Sequence, residues 1–153
     1  METCETAELC AAGAASGTCK APACSASGDH CEGPVMKLCN AGRTAFEDKV
    51  CKSQALCEEG VSKKECEGVG CPAAGALQCT VGGVLQRCKA DLTGWQDLET
   101  CATPALCQAS VTVESTTCAE PVCALGDKRC TGAKLETCAV GRDGWAVDST
   151  CDT

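Results

Sequence analysis

Residues 101–151 read CATPALCQASVTVESTTCAEPVCALGDKRCTGAKLETCAVGRDGWAVDSTC. Six cysteines (Cys101, Cys107, Cys118, Cys123, Cys130 and Cys138) precede Cys151, which falls in the same phase as Cys101, fifty residues on. Upstream the set recurs as Cys51, Cys57, Cys66, Cys71, Cys79 and Cys88, and again as Cys4, Cys10, Cys19, Cys24, Cys31 and Cys39. Five residues always follow the first cysteine (ETAEL, KSQAL, ATPAL) and four always follow the third (KAPA, EGVG, AEPV). A fixed period of this kind is the mark of a repeat architecture. The chain therefore divides into cysteine-rich repeats at 1–50, 51–100 and 101–153, the last ending in a closing cysteine.

Other residues keep the same phase. Phe46, Trp95 and Trp145 each follow the sixth cysteine of their repeat by seven residues, and Met36, Leu85 and Leu135 precede it by three. Leu9, Leu56 and Leu106 stand just before the second cysteine. The ring and the long aliphatic of each repeat are expected to form a miniature core: Met36 with Phe46, Leu85 with Trp95, Leu135 with Trp145. The stretch around each ring reads as a hairpin. Lys134 to Val140, the turn Gly141-Arg142-Asp143-Gly144 and Trp145 to Cys151 illustrate it, and Val84 to Lys89, Asp91-Leu92-Thr93-Gly94 and Trp95 to Cys101 repeat it. The first repeat has Gly42-Arg43-Thr44-Ala45 before Phe46, without the second glycine, so another turn type is expected there. Gly28, Gly75 and Gly126 mark a further turn before each fifth cysteine. Helical periodicity is weak, apart from short turns near Ala7–Leu9 and Ala55–Leu56.

Composition explains why cysteine must dominate. Leu, Val and Phe number 22 of 153 residues and Ile is absent, about 14%, which is below the level at which chains usually fold around an apolar core. The 44% counted as hydrophobic is mostly 23 Ala and 19 Cys. Disulfides constrain the unfolded chain and stand in for a missing core. The expected fold is small, disulfide-rich and mainly β, with three tandem hairpin-containing repeats and little conventional hydrophobic core.

Six cysteines per repeat allow 15 connectivities, and spacing does not choose among them. The scheme carried forward pairs second with third, fourth with sixth, and fifth with the first of the next repeat. It gives Cys10–Cys19, Cys24–Cys39, Cys31–Cys51, Cys57–Cys66, Cys71–Cys88, Cys79–Cys101, Cys107–Cys118, Cys123–Cys138 and Cys130–Cys151, and it leaves Cys4 unpaired. Because 19 is odd, at least one thiol lies outside the intrachain set. One spare thiol permits a dimer. A covalent head-to-tail polymer would take two per subunit and leave 17, again odd, so end-to-end stacking is expected to be non-covalent.

Catalytic and metal chemistry find little footing. The shortest cysteine spacing leaves four residues between them, so there is no C-x-x-C zinc, redox or haem motif. The single histidine, His30, is replaced by Gln78 and Arg129 at the equivalent positions and reads as a surface residue. Glu58, Glu59, Glu65 and Glu67 interleave with Lys63 and Lys64 as a solvated loop. No catalytic residue, metal ligand or cofactor is expected. A net charge of −8 disfavours nucleic acid, and no apolar run is long enough to span a membrane. Disulfides persist in oxidising compartments, so an extracellular or cell-surface location is expected, after removal of a leader not present in this sequence.

The run Cys123-ALGDKR-Cys130-TGAKLET-Cys138-AVGRDGW…Cys151 resembles the cysteine-rich repeats of predicted secreted proteins and lipoproteins of myxobacteria and related bacteria. The likeness extends over all three repeats and is weaker in the first, where Phe46 replaces Trp. It implies a bacterial surface or secreted setting and a modular role, and no activity. The leading expectation is a non-enzymatic structural protein that self-associates as the subunit of a filament, stalk or coat. The alternative is a secreted binding module or inhibitor acting through the variable loops between second and third cysteines. A third reading, a reduced metal-sequestering protein, would require free thiols.

Overall fold

A computed structural model describes residues 3–150 of the chain. Each repeat contributes one short helix followed by three antiparallel strands. The first has α1 (Ala7–Gly13), β1 (His30–Glu32), β2 (Val35–Cys39) and β3 (Phe46–Val50). The second has α2 (Gln54–Gly60), β4 (Leu77–Cys79), β5 (Val84–Cys88) and β6 (Trp95–Thr100). The third has α3 (Pro104–Thr112), β7 (Lys128–Thr131), β8 (Lys134–Cys138) and β9 (Trp145–Thr150). The sheets run β1-β2-β3, β4-β5-β6 and β7-β8-β9. The protein is thus small, disulfide-rich and mainly β, with eight disulfides among the described residues.

Three elements exceed the sequence expectation. The helices are complete rather than isolated turns, because a hydroxyl caps each one. Thr6, Ser53 and Thr103, all two residues after a first cysteine, accept hydrogen bonds from the amides of Leu9, Leu56 and Leu106. The same hydroxyls donate to the carbonyls of Gly42 (2.9 Å), Asp91 (2.5 Å) and Gly141 (2.6 Å), which ties each helix to the hairpin turn of its own repeat. A third strand carries every fifth cysteine and pairs with the first strand of the hairpin, so each hairpin is part of a three-stranded sheet. The hairpin turn of the first repeat also matches the others. Arg43, Leu92 and Arg142 occupy one position and all take positive φ (57°, 63° and 58°). That shared left-handed residue sets the turn, so the missing second glycine does not change it.

Helix ends are closed by a sharp reversal. A side chain at Gly13 or Gly60 would fall onto the carbonyl of Thr18 or Glu65. Lys20 and Glu67 there donate to the carbonyls of Leu9 and Leu56. The third repeat has a longer loop and places Ser110 at this point. Its buried hydroxyl donates to Leu106 O (3.0 Å) and accepts from Ala119 N (2.7 Å), bridging what the other repeats join directly.

Two compact units result, one of Met1–Gly70 with Asp91–Gly94, the other of Cys71–Ala90 with Trp95–Thr153. In the first, the core is Met36, Cys51 and Cys57, with Cys31, Leu38, Val61 and Cys66 packed around it. In the second it is Leu85, Cys101, Leu106 and Cys107, with Cys79, Leu98, Val111 and Cys118 among its neighbours. Each core therefore lies between one repeat's sheet and the next repeat's helix, offset from the cysteine period.

The rings do not join these cores. Met36 and Leu85 are fully buried, whereas Phe46 is 38% exposed and Trp95, Trp145 and Leu135 are half-buried. Strand alternation is the reason. Residues three apart on a strand point to opposite faces. Met36 therefore faces the helix while Cys39, paired across the ladder with Phe46, faces away; Cys88 with Trp95 and Cys138 with Trp145 follow suit. Leu9, Leu56 and Leu106, each 1% exposed, are the apolar anchors instead.

Candidate functional site

The disulfides correct part of the expected pairing. Fourth and sixth cysteines pair, as Cys24–Cys39, Cys71–Cys88 and Cys123–Cys138. First pairs with third, as Cys4–Cys19, Cys51–Cys66 and Cys101–Cys118, in place of Cys10–Cys19, Cys57–Cys66 and Cys107–Cys118. Fifth pairs with the second of the following repeat, as Cys31–Cys57 and Cys79–Cys107, in place of Cys31–Cys51 and Cys79–Cys101. Cys4 is bonded rather than spare. The physical reason is the helix. The second cysteine sits on it beside the buried leucine and is carried onto the preceding sheet, where Cys31 and Cys79 lie next to Met36 and Leu85 in the ladder. The first cysteine precedes the helix and meets the third, which returns alongside it. Cys10 and Cys130 are free and exposed. The expected partner of Cys130, Cys151, lies outside the described residues.

The outer face of each sheet carries a ring beside a row of polar side chains. In the first repeat, His30 meets Phe46 edge-on with centroids 5.3 Å apart, and Lys37 pairs with Asp48 at 2.8 Å. In the second, Gln78, Gln86 and Asp97 form a hydrogen-bonded row (2.8 and 2.6 Å). In the third, the Arg129 guanidinium lies 4.5 Å from the centre of Trp145 and donates to Glu136 at 2.7 Å. The residue before the fifth cysteine thus leans on the ring in the first and third repeats. His30 is a surface group, and a hydrogen bond from its Nδ1 to the Gly28 carbonyl (2.7 Å), helped by Glu32, holds its pKa above the usual histidine value. Asp29 is held below its usual value, chiefly by the Cys39 amide, with Lys64 adding to it. Hydrogen bonds from Arg129 and Thr131 depress Glu136, and Lys128 depresses Asp148.

These groups are salt-bridged or hydrogen-bonded in the manner of sheet cross-strand pairs, and no group of three or more metal-ligating side chains gathers among the described residues. The acidic loop is ordinary in the same sense: Lys63 pairs with Glu67 across the loop at 2.7 Å. No helix among the described residues is long and apolar enough to cross a membrane. The feature that sets two places apart is covalent. At α1 and at the β7–β9 sheet, a junction cysteine is present without the bond its equivalents make.

The capping hydroxyls were legible in principle, as Ser or Thr three residues before each buried leucine. No family model, no curated protein and no solved structure matches the chain.

Proposed function

We infer that the protein is a non-enzymatic extracellular structural protein, a disulfide-stapled repeat subunit of a secreted or surface assembly such as a filament, stalk or coat. The observation that carries this reading is the junction: the sheet of one repeat closes onto the helix of the next through a disulfide, at Cys31–Cys57 and again at Cys79–Cys107. A repeat of this kind is unfinished by itself and is completed by its neighbour, the defining property of stacked architectures. Eight disulfides among the described residues and the scarcity of apolar residues suit an oxidising setting outside the cell, where covalent ties resist shear and proteolysis. The resemblance to repeats of secreted bacterial proteins supports the same setting. Electron microscopy of the purified chain at high concentration, without reductant, tests it. Ordered multimers are the expected result, and uniformly monomeric particles would count against it.

A further inference from the structure

The disulfides form two complete six-cysteine modules. In each, a fourth–sixth bond on a sheet, a first–third bond behind a helix and a fifth–second bond between them make one set. Cys24–Cys39, Cys31–Cys57 and Cys51–Cys66 are the first. Cys71–Cys88, Cys79–Cys107 and Cys101–Cys118 are the second. Among the described residues two half-modules remain: Cys4–Cys19 with free Cys10 is a helix half with no sheet set against it, and Cys123–Cys138 with free Cys130 is a sheet half with no helix set against it.

The surfaces of these halves match as well as their thiols. On the helix side, the internal cores use Cys51, Cys57, Val61 and Cys66, or Cys101, Cys107, Val111 and Cys118. The equivalents at α1 are Cys4, Cys10, Ala14 and Cys19, and these line an open depression together with Gly13. On the sheet side, Met36 and Leu85 are 0% exposed under their helices, whereas Leu135, at the same position on β8, is only half-buried and lies opposite exposed Cys130. Cys57 and Cys107 are likewise 0% exposed, whereas Cys10 is exposed. Each half lacks what the other presents.

We propose that a second copy of this chain completes the module: Leu135 seats in the α1 depression, and Cys130 of one copy forms a disulfide with Cys10 of the next, giving a covalent head-to-tail polymer. This deepens the structural reading and rests on it. The proposal departs from the non-covalent stacking expected from parity, which assumed that all but one cysteine pair within the chain. Among the described residues eight bonds form within the chain, and Cys10 and Cys130 are available together. The oxidant is a low-molecular-weight disulfide. The Cys130 thiolate attacks it and releases one small thiol. The Cys10 thiolate of the next copy then attacks the Cys130 sulfur of the mixed disulfide and releases the second. Two protein thiols are oxidised, one small disulfide is reduced to two thiols, and one interchain S–S bond forms.

The test oxidises the full chain with glutathione disulfide and follows it by non-reducing electrophoresis, intact mass and disulfide mapping. A ladder of multiples and a Cys10–Cys130 peptide from the multimers are expected. In a Cys151→Ser background, Cys10→Ser and Cys130→Ser should each stay monomeric alone, form dimers when mixed, and go no further. Cys151→Ser should keep the ladder. Covalent dimers from either variant alone in that background overturn the proposal, since they mean like-to-like bonds. A Cys10–Cys130 bond inside a monomer overturns it too. Multimers on the grid without a covalent ladder overturn the staple and leave the structural reading standing; monomers by both methods overturn both.

Discussion

Replacing Cys79 and Cys107 together by alanine removes one sheet-to-helix staple. Alanine is chosen because Cys107 is fully buried and a hydroxyl there would add its own desolvation cost. The bond spans 28 residues. In the chain-entropy treatment, releasing a loop of that length returns about 3.5 kcal/mol of freedom to the unfolded ensemble at 25 °C. That is a large share of the roughly 5–15 kcal/mol that holds a typical domain together. The effect should be local. α3 and β4 lose their tether, so their amides should exchange faster, while β1, β2 and α2 keep theirs through Cys31–Cys57. The matched control is Cys130→Ser, which alters the same position in the third repeat. There the sulfur is free and exposed, so monomer stability should change by less than about 0.5 kcal/mol. Guanidinium denaturation and amide exchange by mass spectrometry measure both. A loss below about 1 kcal/mol for the double variant, or equal acceleration of exchange in both compact units, would refute the reasoning.

Three further outcomes are expected. Thr103→Ala removes the acceptor for Leu106 N and the donor to Gly141 O, and should cost about 1–2 kcal/mol in a denaturation experiment, with Thr103→Ser recovering most of it. Leu85→Ala empties a fully buried site and should cost about 2–5 kcal/mol, whereas Trp95→Ala, on the half-buried outer face, should cost less; the reverse order would contradict the placement of the core. His30, the only histidine, should titrate by NMR above its usual value, held there by Gly28 O first and by Glu32 next, and Glu32→Gln should lower the midpoint without abolishing the shift. Because its folded pKa is raised, its contribution to stability is complete below the unfolded pKa and fades as pH rises through the folded one. A midpoint at or under 6.5 would be inconsistent with the Gly28 contact.

What the linear sequence determined was the period, the dependence on sulfur and the hairpins. The gaps after Cys4, Cys51 and Cys101, and the repeated Gly-rich turns, express local rules that act over a few residues. The scarcity of Leu, Val and Phe by itself excludes a large conventional apolar core. What tertiary structure decided was which sulfurs meet and which side chains are inside. The expected bond of second to third cysteine closes a short loop, the cheaper closure on entropy alone. Cys57 and Cys107 instead bond over 26 and 28 residues, because a capped helix lifts each onto the preceding sheet. The rings were misplaced for a related reason. Spacing from the sixth cysteine locates Trp95 in sequence, but strand parity and ladder register put it on the face opposite Leu85. Neither the cover that a following helix provides, nor its lack over Leu135 and Cys130, can be read from one repeat alone, because burial there is a property of the contact between neighbours.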